Sequence, residues 1–168
     1  MRFDEFVSEH AATVAAVDQF AGHVVRVGLP ANWVPFDAAV GIQVWVWRAD
    51  PRIDEFCSNA VLTMHSVGTA LDAREVFGML IEQQLHCAPN GTECVRELTP
   101  ATEGAGFTGT SAVHIPLQRD AVVSESRSRI IVTEKQTLIA QLTVTALQSS
   151  PLDRASVWMT VRGRGGCT

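Results

Sequence analysis

Residues 121–147 constrain this chain more than any other stretch. They hold two runs, AVVSESRSRIIVTE and TLIAQLTVTAL, meeting at Glu134-Lys135-Gln136. In the second run Leu138, Ala140, Leu142 and Val144 alternate with Gln141, Thr143 and Thr145, the period of two that a strand with one buried face requires. The first run mixes Ser, Glu and Arg before turning apolar at Ile130-Ile131-Val132. The pair reads as a long β-hairpin. Its SESRSR segment reads as a solvated face whose Glu and Arg side chains pair across the strands, at a few tenths of a kcal/mol each. A two-stranded hairpin is marginal alone, so the rest of the chain must supply more strands and a covering layer.

The clearest covering element is a helix over residues 73–86. Asp72 is a good N-cap, Glu75 sits three residues on, and Leu71 and Val76 have the spacing of a hydrophobic staple. Ala73, Val76, Phe77, Leu80, Ile81 and Leu85 form its apolar stripe, and Pro89-Asn90-Gly91 stops it. Fourteen residues span ~21 Å, enough to cross several strands. The expectation is that Leu138, Ala140, Leu142 and Val144 lie beneath it.

Residues 3–20 read as an amphipathic helix ended by Gly22, with His10 at the edge of its stripe. Val25 and Val27 mark a short strand, and Trp33, Pro35 and Phe36 an apolar knot plugging one end of the core. The segment 43–48 (QVWVWR) is a strand apolar on both faces, which suits a mid-sheet position. Its Trp45 and Trp47 share one face, as core filling or as an aromatic ligand floor; core filling is the commoner use. In the strand 58–67, Ala60, Leu62 and Met64 point inward and His65 points away. Residues 93–99 and 106–118 read as two more strands, with Gly106 and Gly109 marking a bulge or close backbone approach. Ser150-Pro151 then opens a closing helix to about residue 162.

These elements predict one α+β domain over residues 1–168. It has an N-terminal helix (3–20), an antiparallel sheet of six to seven strands covered by helices as an α/β/α sandwich (24–162), and a frayed tail (163–168). The formal net charge is −5 and Lys135 is the only lysine. Basic residues look scattered rather than massed on one face, which argues against nucleic acid as a partner. Heavy use of Ala, Val, Arg and Gly fits a GC-rich genome such as an actinobacterium's. Asp4, Glu5 and Glu9 stand where a secretory signal would be basic and then apolar, and no run is long enough to span a bilayer. The expectation is a cytoplasmic protein, with peripheral envelope association left open.

The segment LPANWVPF (residues 29–36) resembles the LP-x-G-W segment of the mycobacterial LpqN/LpqT family, whose fold is PsbP-like. The order of parts is similar: a capped mid-chain helix, a strand opening on Gly106-Phe107 with Gly109, a long hairpin, and a closing helix entered through Ser150-Pro151-Leu152. The resemblance covers roughly residues 24–161. Asn32 stands where the family has glycine and tolerates the same backbone geometry. Many members are lipoproteins, but this chain has no lipobox cysteine near its start, so their location is not carried over. The resemblance implies a PsbP-like sandwich without shared catalytic residues, acting as an adaptor or ligand-binding domain.

Catalytic and cofactor signals are absent. No G-x-S-x-G elbow is present, and the tail RGRGG lacks the strand–turn–helix context of a phosphate loop. His86, Cys87 and Cys94 with His114 or Cys57 would be the residues of a metal site, but there is no CxxC or HExxH spacing. Cys87 and Cys94 flank a turn, and a bridge would close eight residues, worth about 2.5 kcal/mol, though a reducing cytoplasm disfavours it. The residues left as a candidate pocket or interface are Trp45, Trp47, His65 and His114. The expected role is non-catalytic, with no cofactor and no metal. It is a protein-interaction or adaptor domain that binds a partner or itself, or alternatively a small-molecule or lipid binder with an apolar pocket between sheet and helix.

Overall fold

The computed structural model describes residues 1–11 and 13–165, and its sheet is built outward from the predicted hairpin. In chain order the elements are α1 (Phe3–Glu9), β1 (Val14–Ala16), β2 (His23–Gly28), β3 (Trp33–Ala39), β4 (Ile42–Trp47), β5 (Asn59–Val67) and α2 (Ala73–His86). There follow β6 (Thr92–Pro100), β7 (Phe107–Pro116), β8 (Ala121–Val132), β9 (Thr137–Leu147), a 3-10 turn (Arg154–Ser156) and β10 (Trp158–Gly163). The main sheet is antiparallel in the order β3-β4-β5-β9-β8-β7-β6, with β1 added against β5. Strands β2 and β10 pair separately as a two-stranded ribbon.

Two apolar layers hold the sheet. On one face Val76, Phe77, Leu80 and Ile81 of α2, with Phe3 and Phe6 of α1, pack on Ile130, Ile139 and Val67. On the other, Leu138, Ala140, Leu142 and Val144 of β9, with Ala60, Leu62 and Met64 of β5, pack against Phe20, Val157 and Val161. Val25 and Val27 of the ribbon close over that second layer. Each fully buried Leu, Ile, Val or Phe contributes about 1.5–3 kcal/mol, so both layers are needed.

The class is α+β, as expected, but the layering differs. Both helices lie on one face, and the ribbon β2–β10, not a helix, covers the other. The residues expected beneath α2, Leu138, Ala140, Leu142 and Val144, lie on the ribbon side. Strand β9 is coated on both faces, with Ile139 and Thr137 as deeply buried as Leu138, so alternation alone could not say which face the helix takes.

The N-terminal helix stops at Glu9, not at residue 20. Val14, Ala15 and Ala16 pair with Val67, Ser66 and His65 instead, filling the length of β5 that β4 leaves open, since β4 pairs only with residues 59–63. Satisfying those backbone groups outweighs the helical spacing of the segment. The closing helix is a single 3-10 turn in which the Asp153 carboxylate accepts from the Ala155 N–H. After it, Trp158–Gly163 is a strand, because its β-branched and aromatic residues alternate in and out against β2. The proposed knot is an edge strand: Trp33 is buried and Phe36 is 66% exposed. Strand β4 is next to that edge rather than central. Of the predicted tail, Gly163 ends β10 and the Arg164 N–H bonds the Gly22 carbonyl; residues 166–168 lie outside the described residues.

Candidate functional site

Helix α2 is placed by its cap and its stripe. The Asp72 side chain accepts from the backbone N–H groups of Arg74 and Glu75, satisfying donors that a helix start leaves orphaned. Phe77 then seats its ring over Gly109 of β7, where an added Cβ would lie 2.5 Å from the ring. This is the close approach that Gly109 signalled.

Beyond Phe77 the sheet beneath α2 becomes polar. Register places Ser124 opposite Thr145, Ser126 opposite Thr143 and Ser128 opposite Gln141 on one face, with Ser111 of β7 beside Ser126. Ser111, Ser126 and Ser128 are each 1% exposed. The SESRSR run is therefore not a solvated face. Its serines are buried toward α2, and its arginines reach carbonyls on the other side: Arg127 to Val157, Arg129 to Glu103 and Ala105.

Buried hydroxyls need partners, and these have one another. Ser126 Oγ and Thr143 Oγ1 are 2.7 Å apart, Thr145 donates to Ser124 at 3.2 Å, and Gln141 donates to Ser128 at 3.3 Å. Gln84 of α2 joins the network from above. Its Oε1 accepts from Ser111 Oγ at 2.8 Å, and its Nε2 donates to the Ser124 carbonyl at 2.9 Å.

A cleft of about 320 Å³ opens between this floor and the C-terminal half of α2. Val61, Leu80, Ala88 and Ile115 form apolar walls, the hydroxyls and amides of Ser124, Ser126, Gln141, Thr143 and Thr145 line the floor, and Gln83 and Cys87 stand beside α2's end. Among the described residues no Asp, Glu, Lys, Arg or His lines it. The volume lies in the range of small-molecule sites. Chemically the cleft can bury apolar surface and exchange neutral hydrogen bonds; it offers no base to activate a nucleophile.

The residues singled out from sequence are not brought together. Trp45 and Trp47 are partly buried against the ribbon-side core, away from the cleft. His65 lies on the helix side, edge-on to the Phe3 ring at 4.9 Å, where burial pushes its pKa down. His114 Nε2 is 3.3 Å from Gln148 Oε1, and β8, β9 and β5 separate its strand from that of the tryptophans. Cys87 and Cys94, weighed as a bridge, are exposed free thiols. Cys87 caps α2 within reach of Gln83, whereas Cys94 sits at a bulge with its sulfur toward the Ala112 carbonyl. Among the described residues no cluster of His, Cys, Asp and Glu is arranged to hold a metal. The residues that do form a site, Gln84 and the hydroxyls, had a faint signal: serine at every second position of β8 beside Thr143 and Thr145 of β9.

A second polar cluster ties the loops at one end of the sheet. Asp50, 2% exposed, accepts from Ser58 Oγ at 2.9 Å, Ser150 Oγ at 2.8 Å and the Arg52 N–H at 2.9 Å. Burial pushes its carboxyl up, but the Arg52 N–H, the Ser150 and Ser58 hydroxyls and the Arg52 charge together hold it below the ordinary value. Arg52 also pairs with Asp120 at 2.5 Å and with Glu55. With every polar group partnered, this cluster is a latch between loops.

No protein-family model matches the chain, and no curated protein matches it. Among solved structures it is similar to LpqN of Mycobacterium tuberculosis, a protein described as involved in cell envelope biogenesis. The TM-score is 0.63 at 13% sequence identity, covering 88% of this chain and 86% of that one. The chain is thus LpqN-like in fold, in line with the resemblance seen at residues 29–36. Among the described residues no helix is long and apolar enough to cross a membrane.

Proposed function

We propose that this chain is a non-catalytic binding domain of the PsbP-like kind that takes an uncharged, largely apolar small molecule or lipid chain in the cleft beneath α2. The observation that carries this reading is the cleft itself: about 320 Å³, apolar walls, a neutral hydroxyl and amide floor, and among the described residues no ionisable side chain other than the Cys87 thiol. A charged ligand would lose its hydration there without a counter-charge, whereas an amphiphile would gain from wall and floor alike. The fold shared with LpqN adds an envelope-related role in an actinobacterium to the proposal.

Titration with the neutral fluorescent probe N-phenyl-1-naphthylamine tests it. Saturable, one-to-one enhancement is expected, lost in Val61→Trp and in Cys87→Trp, which fill the cleft from its wall and from the end of α2. No saturation with the unaltered protein, or full binding in both folded variants, would overturn the reading.

A protein-interaction or adaptor role is favoured by a separate observation. Along the edge formed by β3 and its turn into β4, Val34, Phe36, Val40 and Ile42 are exposed by 40%, 66%, 63% and 37%. Pro35 and the bulge before Asp37 interrupt the backbone ladder of this edge, so it is the apolar side chains that would seat a second copy of this chain across a two-fold axis.

A further inference from the structure

The sequence spreads its arginines along the chain, but the ribbon β2–β10 collects three of them. Register sets Trp158 opposite Gly28, Thr160 opposite Arg26 and Arg162 opposite Val24. Alternation sends Val25, Val27, Met159 and Val161 down to the core, leaving Val24, Arg26, Trp158, Thr160 and Arg162 on the outer face. The Arg164 N–H bonds the Gly22 carbonyl at 2.8 Å, continuing the ladder and bringing a third guanidinium to the same hollow. The hollow measures about 370 Å³ and lies on the side of the sheet away from the α2 cleft.

Three features distinguish this face from a merely solvated one. First, Trp158 is 43% exposed yet held in place: its indole lies on Gly28, where an added Cβ would come within 2.0 Å of the ring. Glycine at 28 is what lets the ring lie down. Second, the cations are largely unspent. Among the described residues neither Arg26 nor Arg164 has an ion-pair partner. Arg162 stands 3.4 Å from Glu103, with both side chains about 70% exposed, so solvent screens that pair. Asp18 shares the adjoining hollow with Arg164 and accepts from the Gly41 N–H. Third, the patch runs against the formal charge of −5.

Guanidinium groups bind phosphate oxygens in paired, charge-assisted hydrogen bonds. The Thr160 hydroxyl can add a donor, and an indole with one apolar face suits the carbon skeleton next to a phosphate or the head-group level of a bilayer. We infer that the outer face of the β2–β10 ribbon is an anion site, formed by Arg26, Arg162 and Arg164 around Trp158, for a phosphate-bearing group of a lipid head or of a soluble phosphoester.

The test uses the whole chain at low salt, with tryptophan emission and co-sedimentation as readouts. The probes are phosphatidylglycerol/phosphatidylcholine vesicles, pure phosphatidylcholine vesicles and glycerol 3-phosphate. Binding to anionic but not neutral vesicles, with no response to glycerol 3-phosphate, assigns a lipid head group; response to both phosphate probes assigns a general phosphoester site. In either case Arg26→Glu/Arg162→Glu weakens binding by roughly thirtyfold or more, Trp158→Phe removes the emission change, and Arg119→Glu, elsewhere on the surface, leaves the affinity within about twofold. No response to any phosphate probe, or equal binding by the charge-reversed protein, overturns the site.

Discussion

The side-chain oxygen of Gln84 on α2 accepts a hydrogen bond from the Ser111 hydroxyl on β7 at 2.8 Å, while its amide donates to the Ser124 carbonyl on β8 at 2.9 Å. A single amide thus fixes the height of the helix over two strands where the apolar contact of Phe77 and Leu80 gives out. It also sets one wall of the cleft.

Gln84→Leu is expected to destabilise the fold by about 1–3 kcal/mol, because the hydroxyl of Ser111, 1% exposed, loses its acceptor. Denaturant unfolding should show a lower midpoint at unchanged slope. A midpoint equal to that of the unaltered protein would mean that Gln84 does not dock the helix.

Gly109→Ala should cost roughly 1–3 kcal/mol, since the new methyl meets the Phe77 ring at 2.5 Å in a packed layer. Phe77→Leu is destabilising alone, but in the double variant the two losses should be less than additive. Strict additivity in a double-mutant cycle would show that the contact is not what excludes a side chain at 109.

Acid should lower the stability of the protein in two separable pH ranges. His65 is a base whose folded pKa is depressed by burial, so stability begins to fall as pH drops through the ordinary value of 6.5, where only the unfolded chain takes up the proton. Asp50 is an acid with a depressed folded pKa, so its contribution is full above the ordinary 3.8 and is lost as pH falls toward the lower folded value. His65→Leu should flatten the upper limb, and Asp50→Asn should shrink the lower one, which Asp120 and Glu55, also held below their ordinary values, share. Unfolding free energies measured from pH 8 to pH 3 in which neither limb changes in size in either variant would refute the assignment.

Phe36→Glu should leave stability within about 0.5 kcal/mol, because the ring is 66% exposed. Sedimentation velocity over a concentration series should show self-association weakened by the charge. A protein that is monomeric at every concentration, with or without the substitution, would remove the strand-edge reading.

Much of the fold was legible in sequence because its signals are local. The strands of residues 121–147, the helix from Ala73 to His86 with its Asp72 cap, and the inward set Ala60, Leu62 and Met64 rest on periodicity and capping, which act within a few residues. Ser124, Ser126 and Ser128 could be seen to share a face; that the face is buried could not.

What the sequence determined by itself was which residues lie together on each strand and helix. The tertiary structure decided which layer covers each face, and with it nearly everything functional. Val14–Ala16 and Trp158–Gly163 became strands because β5 and β2, distant in sequence, offered them unpaired backbone. The cleft exists because α2 chose the hydroxyl face of β8 and β9 over the leucine face, and the arginine hollow because β10 returned to lie beside β2. Strand pairing and layer choice are non-local: their free energy comes from contacts between segments as far apart as His23 and Gly163, and no window of sequence contains both partners.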